Sequence, residues 1–454
     1  MTVQHLHLMG IGGVGMCGIA EVLLRQGLTV SGCDLARSER TRYLEGLGAV
    51  IHVGHEAAHV ETADALVVTA AVPSGAPEMV AAAERGLPII RRAEMLAELM
   101  RFRRGVAVAG THGKTTTTAL IGHLMTAAGA DPTIIVGGRA HFLGTHARFG
   151  KSTLLVCEAD EYDRSFLELA PHLAVVTNLE AEHLDCYDGE EDLMTAFATF
   201  ANRSSVFGAA ILCADDPGAW NLRSRLRRRV VGYGTSTEAE VRMEIVEADV
   251  EGTRFDVLHR GRPLGRVRLA LPGVFNALNA LAAITVGLEL EVAFDVLAAA
   301  CGEFNGVARR FEVRGERDGV TVIDDYAHHP TELRAVLEAT RQAMPGRRIV
   351  AAFQPHLFSR TRDFAAELAS ALMGAEVAVV LPIYPAREQP IPGVDSTLVI
   401  DEANRLGHPC VVEGLAPGEA RTQLNEILRA GDVLLTIGAG DVDMLGEAWL
   451  EGSP

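Results

Sequence analysis

The stretch Val106-Ala-Val-Ala-Gly-Thr-His-Gly-Lys-Thr-Thr-Thr-Thr118 decides how the fold is read. Residues 106–109 form a short apolar run of strand character, Gly110-Thr111-His112-Gly113 reads as a turn, and Lys114 opens a helical segment. A phosphate loop belongs at such a junction, because backbone amides and the helix N-terminus there face an anion. The pattern departs from the usual G-x-x-x-x-G-K-T, since Val108 stands at its first glycine. Lysine is scarce: Lys and Arg total 41, and Lys114 and Lys151 are the two lysines among them. A compact ammonium contacts the β- and γ-phosphates as a point charge, which a planar guanidinium does not reproduce. Gly110, Thr111, His112, Gly113, Lys114, Thr115 and Thr116 are therefore the expected triphosphate cradle, with the Thr115 hydroxyl on Mg²⁺.

Outward from this loop the same grammar recurs: an apolar run, a Gly- or Asp-rich turn, an amphipathic helix. The runs are Leu6–Met9, Thr153–Cys157, Leu173–Thr177, Val320–Ile323, Ile349–Phe353, Val377–Leu381 and Val433–Ile437. That succession predicts an α/β fold with parallel sheets flanked by helices. At roughly 150 residues per domain, 454 residues suggest about three domains. The basic segment Arg101–Arg104 and the region of Asn305-Gly306 supply boundaries, giving domains at 1–100, 101–305 and 306–454. Alternating residues with Gly turns from Arg242 to Arg268 predict a small antiparallel addition to the middle domain.

In open α/β sheets ligands gather beyond the carboxyl ends of strands. The run ending at Cys157 is followed by Glu158, Asp160, Glu161 and Asp163, oxygen ligands suited to Mg²⁺, with Glu158 first in line. The next run leads to His183 and Asp185, read as a second metal or phosphate contact. Near the N-terminus Gly10, Gly12 and Gly15 have G-x-G-x-x-G spacing, with Asp34 ending the following run. This second glycine turn predicts a pyrophosphate on a helix N-terminus, either NAD or a nucleotide-sugar.

A net charge of -18 opposes nucleic-acid binding, and no basic patch offsets it. No run of about 18 apolar residues is present to span a membrane. Seven scattered cysteines without a C-x-x-C read as reduced thiols of a cytoplasmic protein rather than as a disulfide framework. A homodimer stays open as an alternative to a monomer.

Longer motifs extend over nearly the whole chain: "GIGGVGM" at 10–16, "RRAEMLAELM" at 91–100, "GTHGKTTTT" at 110–118, "EADEYDRSFL" at 158–167 and "NLEAEHLDCY" at 178–187. The series continues with "NALNALAA" at 276–283, "GVARRFE" at 306–312, "DDYAHHPTE" at 324–332, "FQPHLFSRT" at 353–361, "LPIYPAREQPIPGVDS" at 381–396 and "GAGD" at 438–441. Together they resemble the Mur ligase family of ATP-dependent amide-bond-forming enzymes. The resemblance implies a Rossmann-like N-terminal domain for a UDP-sugar, a central P-loop-type ATPase domain, and a Rossmann-like C-terminal domain for the amino acid. It further implies ATP, two Mg²⁺ ions, and ligation of L-alanine to the lactyl carboxylate of UDP-N-acetylmuramate through an acyl phosphate.

By motif, Gly12, Gly13, Gly15, Asp34, His55 and Arg92 then fall to the UDP-sugar. Thr115, Glu158 and His183 fall to metal; Asn276 and Asn279 to adenine; Arg310 to a phosphate; Asp325 to ribose. His328, His356 and Arg360 join Lys114 and His183 around the reacting groups. Three positions depart from the family pattern: Phe275 stands where histidine usually opens the adenine motif, Glu182 where aspartate precedes the metal histidine, and Thr69 where serines are common. No lysine follows Lys151, so the carbamylated lysine of several sister ligases cannot form downstream of His183. The alternatives are a recycling ligase adding a preformed tripeptide, an NAD-dependent oxidoreductase, which leaves "GTHGKTTTT" without a purpose, and a nucleotide-switch module, which leaves the other motifs unexplained.

Overall fold

Three sheets carry the chain, and each expected strand run is found as a strand, with ends displaced by no more than two residues. The computed structural model describes residues 3–180, 186–249, 251–386, 388–407, 411–412 and 417–452. The chain falls in two compact units, one of residues 1–244, 256–267 and 278–305, the other of 245–255, 268–277 and 306–454.

The first sheet comprises β1 (His5–Met9), β2 (Thr29–Asp34), β3 (Val50–Val53), β4 (Ala65–Val68) and β5 (Ile89–Arg91), in the order β3-β2-β1-β4-β5. Every pairing in it is parallel. β4 is a continuous apolar run, and β1 is buried from Leu6 to Met9, because a parallel sheet is covered on both faces.

The second sheet starts with β6 (Arg104–Ala109), β7 (Thr133–Ala140), β8 (Thr145–Arg148), β9 (Leu154–Glu158), β10 (Leu173–Val176), β11 (Ala209–Cys213) and β12 (Val230–Gly234). These lie in the order β12-β11-β10-β6-β9-β7-β8, parallel except for the terminal β7–β8 pair. β13 (Val241–Asp249), β14 (Gly252–His259) and β15 (Arg262–Leu269) extend it beyond β12 as the expected addition. Arg260 and Gly261, at φ 51° and 74°, form the two-residue turn that folds β15 back on β14.

The first sheet and strands β6 to β12 share one unit, in which the helix Val14–Arg25 lies against β7 and β8. Gly18 permits the approach: a Cβ there would come 3.1 Å from Ile135. On the same helix the buried Glu21 accepts from Arg25 Nε (3.0 Å), Tyr43 Oη (2.9 Å) and Thr145 Oγ1 (2.9 Å). A carboxylate so deep must be paired in this way, since an unpartnered buried charge is strongly unfavourable.

The third sheet, of the second unit, consists of β16 (Glu312–Arg317), β17 (Val320–Asp325), β18 (Ile349–Phe353), β19 (Val377–Val380), β20 (Val411–Val412) and β21 (Val433–Ile437). Its order is β16-β17-β21-β18-β19-β20, with only β16 antiparallel to its neighbour. β21, last in sequence, lies between β17 and β18, so the loops after all three emerge side by side.

Candidate active site

In the second sheet β6 lies between β9 and β10, and their carboxyl ends deliver the loop at 110–113, Glu158 and Thr177-Asn178 to one edge. The loop is locked onto β10's continuation. The Thr111 amide donates to Asn178 O (3.2 Å), the His112 amide to Asn178 Oδ1 (2.7 Å), and Thr177 Oγ1 to His112 O (2.6 Å). Gly110 and Gly113 have φ of 137° and 79°, a region that side chains disfavour. A Cβ on Gly110 would lie 2.0 Å from Thr177 Oγ1, and one on Gly113 2.6 Å from Asn279 Oδ1. The helix Lys114–Ala127 starts directly from Gly113 without a side-chain cap. An uncapped N-terminus behind two such glycines suits phosphate oxygens.

Lys114 curls back over the loop: Nζ donates to Gly110 O (2.5 Å), Thr111 O (3.0 Å) and Glu161 Oε1 (2.8 Å). Burial pushes the Glu161 carboxyl up to about 7, against the opposing pull of the Lys114 ammonium. Thr115 Oγ1 donates to Glu158 Oε2 at 3.3 Å, and Glu158 also accepts the Gly137 amide. Thr115 and Glu158 are thus adjacent hard oxygen donors, a pair that fits one Mg²⁺. His112 directs its ring at Glu180, with Nε2 3.7 Å from the carboxylate, while Thr116 is buried in the first helical turn. His183, expected at a second metal, and its neighbours Glu182 and Asp185 lie outside the described residues.

The N-terminal glycine turn belongs to the same unit. The Gly12 amide donates to Asp34 Oδ2 (2.8 Å), and a Cβ on Gly12 would come 2.8 Å from that oxygen. A Cβ on Gly13 would lie 3.2 Å from Gly10 O, and one on Gly15 3.0 Å from Arg92 Nη1. Arg92 therefore covers the turn, and its Nη2 donates to Asp160 Oδ2 at 3.1 Å. One guanidinium thus links the first glycine turn to the acidic segment that holds Glu158 and Glu161. His55, beyond β3, places Nδ1 3.2 Å from Glu78 Oε1 and 3.5 Å from Cys33 Sγ.

In the second unit, the loops after β17 and β18 bring His328, His356 and Arg360 together. The rings of His328 and His356 stand 5.4 Å apart, Arg360 Nη1 lies 2.9 Å from His356 Nδ1, and Tyr384 stacks on His356 at 6.1 Å. Asp325 is buried, and its oxygens accept the amides of Phe311 (2.7 Å) and Ala327 (2.8 Å). Burial pushes its carboxyl up to about 6, with Arg310 opposing. Arg310 lies over the Tyr326 ring at 5.1 Å. Asn276 is buried with Nδ2 donating to Pro272 O (2.8 Å); Asn279, three residues on along the helix Val274–Glu289 and in the first unit, accepts from Thr117 Oγ1 (3.1 Å). Phe275, at the departure from the family pattern, packs against the hydrophobic core of the second unit.

Sequence reasoning did not single out Asn178, which clamps the phosphate loop, or Arg309. The latter pairs with buried Asp324 (3.0 Å) and donates to Gly438 O and Gly440 O (2.7 Å each). Tyr384 is likewise not singled out; the motifs at 178–187, 306–312 and 381–396 contain the three residues without marking them. Spacing carries no signal for any of the three, because their partners are 66 or more positions away for Asn178, up to 131 for Arg309 and 28 for Tyr384.

Comparison with known proteins agrees with this arrangement along the chain. Residues 5–104 match the family model "Mur ligase family, catalytic domain", 108–287 "Mur ligase middle domain" and 309–440 "Mur ligase, glutamate ligase domain". A UDP-N-acetylmuramate--L-alanine ligase of Salinibacter ruber is 48% identical over 450 residues, covering 99% of this chain and 95% of its own. One of Geobacter sulfurreducens is 45% identical over 450 residues, 99% of this chain and 97% of its own. Among solved structures, the UDP-N-acetylmuramate-alanine ligase MurC of Thermotoga maritima superimposes with a TM-score of 0.84 at 29% identity, over 99% of this chain and 98% of that one. A murein peptide ligase of Psychrobacter arcticus shares the fold, with a TM-score of 0.73 at 23% identity over 99% and 98%. Phosphate loop, acidic segment and C-terminal cluster thus lie on a chain matched by three successive family models and by full-length relatives, and this chain belongs to the Mur ligase family.

Proposed function

We propose that this protein is a cytoplasmic enzyme that joins L-alanine to the lactyl carboxylate of UDP-N-acetylmuramate, converting ATP to ADP and phosphate, in peptidoglycan precursor synthesis. The observation that carries the reading is the Arg92–Asp160 link between the first glycine turn and the phosphate-loop edge. It ties a nucleotide-sugar turn to a triphosphate loop, and relatives of 48% and 45% identity bear the corresponding name.

A carboxylate is a poor electrophile and must first be activated. Its oxygen attacks the γ-phosphorus of ATP, the bond to the β-phosphate oxygen breaks, and ADP leaves behind an acyl phosphate. The amine of L-alanine, having lost its proton, then attacks the acyl carbon, and phosphate departs from the tetrahedral intermediate. Gly12, Gly13, Gly15, Asp34, His55 and Arg92 hold the UDP-sugar in this reading. Gly110 to Thr116 cradle the phosphates, and Lys114 exchanges its loop carbonyls for phosphate oxygens, so that little reorganisation is needed as charge develops. Thr115 and Glu158 hold one Mg²⁺ and His183 a second; bound metal neutralises charge on the transferring phosphoryl group. Asn276 and Asn279 serve adenine, Arg310 a phosphate, and Asp325 the ribose through lone pairs its two amide donors leave available. His328, His356 and Arg360 surround the incoming alanine and the transferring phosphate.

The deciding experiment supplies ATP, Mg²⁺, UDP-N-acetylmuramate and single amino acids, and follows phosphate and product mass. Phosphate release that requires both the sugar nucleotide and L-alanine is expected. Release indifferent to the amino acid rejects ligation, and turnover with a tripeptide alone selects the recycling ligase instead.

A further inference from the structure

Away from the phosphate loop, the first sheet holds a cluster to which the proposed ligase chemistry gives no role, although His55, assigned to the UDP-sugar, borders it with Nδ1 3.5 Å from Cys33 Sγ and 3.2 Å from Glu78 Oε1. His7 on β1, Cys33 on β2, His59 in the single turn Ala57–Val60 and Glu78 at the start of the helix Pro77–Glu84 each offer one donor atom, and these atoms all lie within 4.8 Å of one another. His7, Cys33 and Glu78 are fully buried. Two polar atoms of this set have no hydrogen-bond partner among the described residues: His7 Nε2 and Glu78 Oε2. An orphaned buried acceptor or donor is unfavourable, so two in one cluster ask for a partner.

The surroundings are arranged as they are around known metal ligands. His7 Nδ1 is engaged by Ser31 Oγ at 2.8 Å, which orients the ring and leaves Nε2 to the cluster. Ser31 Oγ is in turn 2.8 Å from His5 Nε2. His59 Nδ1 lies 2.9 Å from Glu78 Oε1, and its ring stacks on His52 at 4.3 Å. The Glu56 amide donates to Glu78 Oε1 at 3.0 Å. Cys33 belongs to a hydrophobic cluster with Met9, Val60, Leu66 and Val68.

We propose that His7, Cys33, His59 and Glu78 form a four-coordinate Zn²⁺ site in the N-terminal domain. The donor set favours zinc over magnesium, since thiolate and imidazole bind softer ions and leave Mg²⁺ without its oxygen shell. One thiolate, one carboxylate and two neutral imidazoles carry two negative charges, which a divalent ion cancels, so the loaded site is neutral. Ligands about 2.0–2.3 Å from a shared ion stand roughly 3.3–3.7 Å apart, so closing the present 4.8 Å envelope takes shifts of about 1 Å. The site fastens β2 at the residue before Asp34, whose carboxylate holds the Gly12 amide.

The test uses the full chain, stripped with a chelator and returned to excess Mg²⁺ so that the nucleotide site is saturated with its own ion. Zn²⁺ titrated against a chromophoric competitor is expected to bind at one ion per chain. Co²⁺ is expected to give a near-ultraviolet thiolate-to-metal band together with the visible bands of four-coordinate cobalt. Cys33→Ser, close to isosteric, removes the thiolate band and weakens Zn²⁺ by at least about 10-fold; His7→Gln weakens it comparably. Cys157→Ser and Glu158→Gln leave both readouts as in the parent. Circular dichroism of each variant verifies folding, and Cys33→Ser decides the matter if His7→Gln does not fold. Absence of the thiolate band in the parent, its persistence in Cys33→Ser, or loss of stoichiometric Zn²⁺ in Glu158→Gln overturns the proposal.

Discussion

Lys114 Nζ lies 2.8 Å from Glu161 Oε1 and at the same time donates to the carbonyls of Gly110 and Thr111. A single small cation therefore holds the loop shut on itself, in the place where phosphate oxygens are expected. Lys114→Arg keeps the charge but not this geometry, because a planar fork cannot converge on three acceptors inside the turn. Turnover is expected to fall by about 100-fold or more, in line with losing a preorganised charge contact. The melting temperature should stay within a few degrees of the parent's. Full activity in this variant would show that the phosphate assignment is mistaken.

Glu158 accepts from Thr115 Oγ1 and from the Gly137 amide. Glu158→Gln retains an oxygen for the amide but gives up the charge that a hard cation requires. The Mg²⁺ concentration for half-maximal activity is expected to rise by about 10-fold or more, while thermal stability without metal changes little. A metal titration of initial rates, run beside a melting curve, separates the two effects.

The Arg92–Asp160 pair is part-exposed on both sides, at 27% and 43%. Such a pair contributes only about 0–1 kcal/mol to stability, so its importance should appear in binding. Arg92→Ala is expected to raise KM for UDP-N-acetylmuramate by about 10-fold or more, with a smaller change in kcat and a nearly unchanged melting temperature. Equal losses in kcat and kcat/KM would instead assign Arg92 to the transition state.

Asp325 gives a pH dependence of definite sign. Its carboxyl, ordinarily at 3.8, is pushed up to about 6 in the folded chain by burial. Between these two values the folded state holds the proton more firmly than the unfolded state does. Stability contributed by this group is therefore greatest below about 4, declines as pH rises to about 6, and is level above that. The total is on the order of 1–3 kcal/mol. Urea unfolding from pH 4 to pH 7 should show the parent losing stability relative to Asp325→Asn across that window; a difference independent of pH would refute the assignment.

The α/β class and the strand runs were legible because apolar segments such as Val106–Ala109 and Val433–Ile437 are buried along their full length, and burial on both faces leaves a continuous run in the chain. The antiparallel addition was legible from Gly-containing turns such as Arg260-Gly261. The phosphate loop could be read because its function depends on local geometry: two glycines at positive φ, then a helix start.

Other features depended on pairings that spacing does not encode. Lys114 and Glu161 are 47 positions apart, Arg92 and Asp160 are 68 apart, and His7 meets Cys33, His59 and Glu78 only once β1, β2 and two short helices have packed. Local order in this chain follows from backbone conformation and hydrophobic period, which neighbouring residues specify. Charge partners and metal donors are brought together by the order in which strands add to a sheet, and that order is settled by the packing of the entire domain.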